Sequence, residues 1–158
     1  MEQKKWKFNV IDGIAVILIL AAVVLVGVKL MQRSEAGPAD TVKVTYQVKV
    51  EDVPAELYET CQAHLPSPLM ASGELVGGQI ESVQKLPYLV LGADGQWAED
   101  PDHVTLIFTA STETAASDVM TTKVGDQEVR IGKTDYILKS EYIEFSNGII
   151  TDVEWEGK

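Results

Sequence analysis

Hydrophobic and polar positions fall into two unlike patterns along this chain. From Gly13 to Val28, sixteen successive residues carry neither charge nor a polar side chain. With its flanks the stretch fills residues 11–31. At about 1.5 Å per residue a helix of that length spans roughly 30 Å, the thickness of a bilayer's hydrocarbon core. Beyond residue 40 the pattern changes to short segments with a period of two. Thr41 to Glu51 alternates cleanly, with Val42, Val44, Tyr46, Val48 and Val50 on one face and Lys43, Thr45, Gln47 and Lys49 on the other. That is the mark of a half-buried β-strand.

Further strands are predicted over Leu69–Val76, Gln79–Leu86, His103–Ala110, Glu128–Ile131, Tyr136–Phe145 and Ile149–Trp155. Gly77-Gly78 and Asn147-Gly148 stand between such runs and predict hairpin turns. One short amphipathic helix is predicted over Pro54–His64. Pro54 suits its first turn, Leu57, Cys61 and Leu65 recur at a spacing of four, and Pro66 and Pro68 end it. Gly78 to Val83 and Gly148 to Val153 both read G-x-I-x-x-V, each downstream of an alternating strand. The expectation is a mainly β (α+β) chain. One N-terminal transmembrane helix precedes a small β-barrel-like or β-sandwich domain with one short helix, and two tandem halves are one reading of that domain.

Charge sharpens the division. Through Arg33 the chain holds five basic and two acidic residues; beyond it come eight and twenty-two. The basic residues Lys4, Lys5 and Lys7, with Trp6 as an interfacial aromatic, flank one end of the apolar span, and Lys29 and Arg33 flank the other. The positive-inside bias then predicts a cytoplasmic tail at 1–10, a membrane helix at 11–31, a linker at 32–40 and an extracytoplasmic domain at 41–158. A cleaved signal peptide fits less well. Its apolar core is shorter, and here Lys29 and Arg33 precede any small-residue cleavage site. The acidic outer domain would repel nucleic acid phosphates, so the lipid bilayer and a protein or glycan of the envelope are the expected partners, with oligomers open.

Certain stretches together resemble a known family. They are K-W-K-F-N-V-I-D from Lys5, Y-Q-V-K-V-E-D-V from Tyr46, G-G-x-I-x-x-V from Gly77, V-R-I-G-K from Val129 and N-G-x-I-x-x-V from Asn147. The chain is similar over most of its length to the bacterial single-pass proteins grouped as domain of unknown function 4330. The resemblance implies the topology and a β-rich outer domain, and brings no activity or cofactor. A shorter stretch, Gly73 to Val83, is similar to a strand of the lipid-shuttling domains found behind an N-terminal membrane helix in bacterial envelopes.

Chemistry is thin. Cys61 is the sole cysteine, which excludes an internal disulfide and predicts a small buried apolar residue. His64 and His103 are the only histidines, and no zinc-binding spacing or nucleophile elbow exists. No catalytic residue, cofactor or metal ligand is assigned. Trp97, Asp100 and Asp102 lie in a polar run from Gly92 and form a candidate contact loop, although for Trp97 a lid over one end of a barrel is the favoured reading, since tryptophan is usually well buried. The expectation is a membrane-anchored, non-catalytic binding or scaffolding module of the cell envelope. The alternatives are an oligomeric envelope component for lipid or polysaccharide transport and an enzyme acting on cell-wall polysaccharide. The enzyme would need a carboxylate pair among Glu99, Asp100, Asp102, Glu141 and Glu144.

Overall fold

A computed structural model describes residues 41–156. The predicted tail, membrane helix and linker, with Lys4, Lys5, Trp6, Lys7, Lys29 and Arg33, lie outside the described residues. Among the described residues no helix is long and apolar enough to cross a membrane.

The described chain is mainly β. Strand β1 (Thr41–Pro54) leads to helix α1 (Leu57–Ala63), then β2 (Ser67–Ala71), β3 (Glu74–Leu91) and β4 (Trp97–Ala115). A short 3-10 turn (Ala116–Thr121) and a small hairpin of β5 (Lys123–Val124) and β6 (Gln127–Glu128) follow, then β7 (Tyr136–Lys139) and β8 (Glu144–Trp155). Six strands form one antiparallel sheet in the order β2-β3-β4-β1-β8-β7. Its two edges meet at a bridge between Leu69 and Ser140, so the sheet curls into a nearly closed barrel. Closure hides strand edges that would otherwise template pairing. The order maps onto itself when β1, β2 and β3 are exchanged for β4, β7 and β8.

The alternation of β1 does what its period dictates. Val44, Tyr46, Val48 and Val50 are all buried in the barrel, beside Leu106, Phe108 and Ala110 of β4 and Ile150 of β8. Tyr46 and Tyr136 meet edge to face inside, with ring centroids 5.9 Å apart. Their hydroxyls share a buried hydrogen bond of 2.9 Å. A phenol stranded there would lose its water without a partner, and each ring supplies the other's. Burial holds Tyr46 well above the ordinary phenol range and pushes Tyr136 up to about 12.

Several expectations need correction. Gly77-Gly78 is not a turn but lies within β3. The turn falls at Ser72-Gly73, where both φ angles are positive (52° and 84°), as a tight two-residue hairpin requires. Gly78 is needed for another reason. A Cβ there would come within 2.1 Å of the Ser111 carbonyl oxygen, so only glycine lets β3 lie this close to β4. Thr112 Oγ1 donates to the Gly77 carbonyl at 2.8 Å and pins the contact.

Asn147-Gly148 is likewise inside a strand, β8, and a Cβ on Gly148 would stand 2.6 Å from Val48 Cγ1. The true turn is Ser140–Ile143. It breaks the predicted strand Tyr136–Phe145 in two, and Ser140 Oγ accepts the N–H groups of Tyr142 and Ile143 there. The predicted strand Glu128–Ile131 shrinks to Gln127–Glu128.

The helix is shorter than predicted. Pro54 ends β1 opposite His103, and α1 begins at Leu57. Cys61 is its buried residue, and Leu57, Tyr58 and Leu65 pack against the core. The two G-x-I-x-x-V stretches perform the same local task. In each, an inward isoleucine (Ile80, Ile150) and an inward valine (Val83, Val153) are three apart, and a register shift between them restores the alternation.

Candidate functional site

Strands β3 and β4 are 18 and 19 residues long. Each is longer than the barrel needs. β2 pairs with β3 only as far as Ile80, and β1 pairs with β4 only from His103 onward. Beyond Pro87 the two strands pair with each other alone, matching Leu89 to Glu99, Val90 to Ala98 and Leu91 to Trp97. The result is a two-stranded arm rising from the barrel.

The arm closes through Gly92–Gln96. Gly92 N–H donates to the Gln96 carbonyl at 2.8 Å, Asp94 Oδ1 accepts the Gln96 N–H at 3.1 Å, and Gly95 takes a φ of 76°. Its base is set by Asp100. Oδ1 of Asp100 accepts the backbone N–H of Asp102 (2.8 Å) and of His103 (3.0 Å), and it lies 3.3 Å from His103 Nδ1. The Asp102 N–H, followed by the His103 contacts, draws the Asp100 carboxyl below the usual carboxylate range. Across the sheet, His103 Nε2 stands 3.9 Å from Asp52, the residue at which β1 bulges with a φ of 60°. The arm thus leaves the barrel through a polar collar of Asp52, Asp100 and His103, with Ala55 N–H donating to the Asp102 carbonyl at 2.9 Å.

Residues directly opposite in an antiparallel pair share a face, as do residues two apart. Leu89, Leu91 and Trp97 therefore line one face of the arm. They are 52%, 60% and 69% exposed, and Leu86 at the arm's root is 44% exposed. Among the described residues the other large exposed hydrophobics, Leu75, Ile131, Ile137 and Tyr142, stand outside the arm, with Leu75 at the opposite end of β3. Isolated exposed apolar residues are ordinary; several gathered on one hairpin are not.

Trp97 is thus no lid. Nor do Trp97, Asp100 and Asp102 form a loop: all three belong to β4, and the polar run from Gly92 contains only five true loop residues. The structure brings Trp97 together with Leu91, which the sequence reading did not single out. The signal was present in L-P-Y-L-V-L (Leu86 to Leu91), where apolar residues occupy successive positions. A strand facing water on one side cannot bury both parities.

The five candidate carboxylates fall on two separate hairpins. Glu99, Asp100 and Asp102 stand on the arm, whereas Glu141 and Glu144 border the β7–β8 turn, where Glu144 is paired with Lys139 at 2.6 Å. Among the described residues no group of three or more His, Cys, Asp or Glu is placed to hold a metal ion. A cleft of about 260 Å³ beside α1 is lined by Leu57, Cys61, His64, Tyr142 and Phe145. His64 lies against Tyr142 there, with centroids 4.6 Å apart, and its Nδ1 bonds to the Thr60 carbonyl. Burial pushes the Cys61 thiol up, away from the reactive thiolate.

No curated protein and no solved structure matches this chain. A family model does match, described as domain of unknown function DUF4330 and covering residues 4–154. Spanning nearly the whole sequence, that match shows that the chain belongs to the DUF4330 family.

Proposed function

We propose that this chain is a membrane-tethered, non-catalytic binding or scaffolding module of the bacterial cell envelope, and that its arm makes the contact. The observation that carries this reading is the exposed face of Leu89, Leu91 and Trp97 on a hairpin with no other strand beside it among the described residues. Aromatic and aliphatic side chains of this kind dominate binding energy where they enter a pocket. The apolar span at 11–31 supplies the tether, with the N terminus cytoplasmic and the domain outside. The barrel serves as a rigid mount. Its interior is filled by Tyr46, Phe108 and Tyr136, so any apolar ligand would have to be met on the outer surface.

The test is to compare membranes holding the full chain with membranes holding a variant carrying Leu89→Ser, Leu91→Ser and Trp97→Ala. Gentle detergent extraction and native electrophoresis should show a discrete larger assembly for the unaltered chain and its loss for the variant. An assembly that survives the triple change would count against the arm. A chain recovered alone in both cases would count against the whole reading.

A further inference from the structure

The arm tip carries more than apolar side chains. From Leu86 to Asp102 there is no lysine or arginine, while Asp94, Glu99, Asp100 and Asp102 are all acidic. Glu99 sits directly opposite Leu89, on the same face as Leu91 and Trp97. The binding face is thus a greasy finger with a carboxylate at its edge and more around its base. Resting on the reading above, we propose that the arm inserts into an apolar cleft on a second, different protein whose rim is lined with lysine and arginine.

Three observations select that occupant. The first is charge. An apolar finger bordered by four carboxylates and no cation matches a basic rim, which steers encounter and rejects acidic partners. The second is shape. A two-stranded hairpin is narrow and convex, so its side chains are covered only by a concave surface. Pairing of another strand along the arm's full edge is interrupted at its base by Pro87 and Pro101, which have no N–H. Three clefts on this domain are poor receptors for a second copy: beside β2 and β7 Asp126 and Glu144 outnumber Lys139, beside β3 and β4 Glu81 and Glu113 outnumber Lys43, and the apolar cleft beside α1 carries Glu144 and no lysine or arginine.

The third is placement. The chain enters β1 at Thr41, opposite Ala115, at the other end of β4 from Trp97. At roughly 3.3 Å per residue, that path along the strand is about 60 Å. Thr41, the first described residue, thus lies at the end of the sheet away from the arm. Anionic headgroups would moreover repel the four carboxylates.

A photo-crosslinking residue placed at Leu91 of the full chain, in its native membranes, tests this. The same residue at Leu75, which is exposed but lies beside the β2–β3 turn, is the control. Mass spectrometry then identifies the product and the crosslinked peptide. The expected result is one heterologous protein captured from 91 and not from 75, through a peptide with Lys or Arg beside apolar residues. Its yield should fall at least tenfold when Glu99→Lys and Asp102→Lys are combined, and several-fold when salt is raised from 0.05 to 0.5 M. Asp94 and Asp100 are left in place because Asp94 holds the tip turn and Asp100 the arm's base. The salt series on the unaltered sequence keeps the test decisive if the charge-reversed variant folds poorly.

A product made with lipid, a product made with a second copy of this chain, or a heterologous product indifferent to salt would each overturn the partner class while leaving the arm a contact surface. No product at 91 from a folded chain would overturn the arm's role itself.

Discussion

Strands β3 and β4 pass through two environments, and the contrast between them separates what holds this protein together from what it offers to others. In the barrel, Ile80, Val83, Leu106, Phe108 and Ala110 are buried on one side and backed by neighbouring strands. A few residues further on, Leu89, Leu91 and Trp97 belong to the same two strands but have only each other's backbone for support. Two paired strands alone are at best marginally stable in water. The arm stands because its base is continuous with a barrel that is already ordered, and because Asp100 ties its root to the backbone of Asp102 and His103. Apolar residues of similar kind thus do opposite work in the two regions. In one they repay the cost of ordering the chain, and in the other they remain unspent.

Truncation should expose this difference most sharply. Phe108→Ala removes a fully buried ring that packs against Phe145 and should cost about 3–5 kcal/mol. Chemical denaturation would read the loss as a lower midpoint. A cost below about 1 kcal/mol would mean that the barrel is not the cohesive part.

Alkali should act on the barrel next. The Tyr136 phenol is held at about 12 by burial, against an ordinary value of 10. Below pH 10 both folded and unfolded chains keep the proton. Between 10 and about 12 the unfolded chain loses it while the fold retains it, so stability falls as pH rises through that window. The loss from Tyr136 alone should be on the order of 2–3 kcal/mol. Denaturation curves at pH 9, 10, 11 and 12 would show it, and Tyr136→Phe should lessen the dependence, leaving the part that the raised Tyr46 phenol supplies.

The tyrosine pair should also be non-additive. Tyr46→Phe or Tyr136→Phe alone leaves one buried hydroxyl without its 2.9 Å partner and should cost about 1–3 kcal/mol. The double substitution removes both hydroxyls and should cost less than the two single changes combined. Strict additivity would show that the bond does not couple them.

The smallest effect on stability is expected at the arm. Leu91→Ala should shift stability by no more than about 0.5 kcal/mol, since a substitution at an exposed site breaks no packed contact. Its consequences should appear in assembly rather than in melting. A large destabilisation would erase the distinction between mount and contact.

How far the sequence could be read depends on how local each signal is. The alternation of β1 predicted its buried face from Val44 to Val50, with Val42 only half-buried, and the spacing of Leu57, Cys61 and Leu65 marked a real helix with Cys61 inside. The paired glycines misled because a glycine has two uses. At Ser72-Gly73 it serves a positive φ in a turn. At Gly148 it makes room for a side chain from a strand distant in sequence, and at Gly78, where φ is 111°, it serves both needs. Composition alone does not separate these uses, since the neighbour that demands the space is named only by the pairing. Trp97 was misread for a related reason. Its polar surroundings suggested a loop, whereas register with Leu91 makes it part of a strand.

The periods of the sequence specify an apolar run long enough for a bilayer, an acidic β domain after it, and which face of the first strand turns inward. Those follow from the near-neighbour geometry of the backbone and from the cost of placing charge in oil. Tertiary structure alone decided that β3 and β4 outrun their partners, that three apolar side chains collect on the arm's uncovered face, and that the chain enters at the opposite end of β4. Exposure is a property of what fails to arrive beside a residue, and it depends on where every other strand has gone.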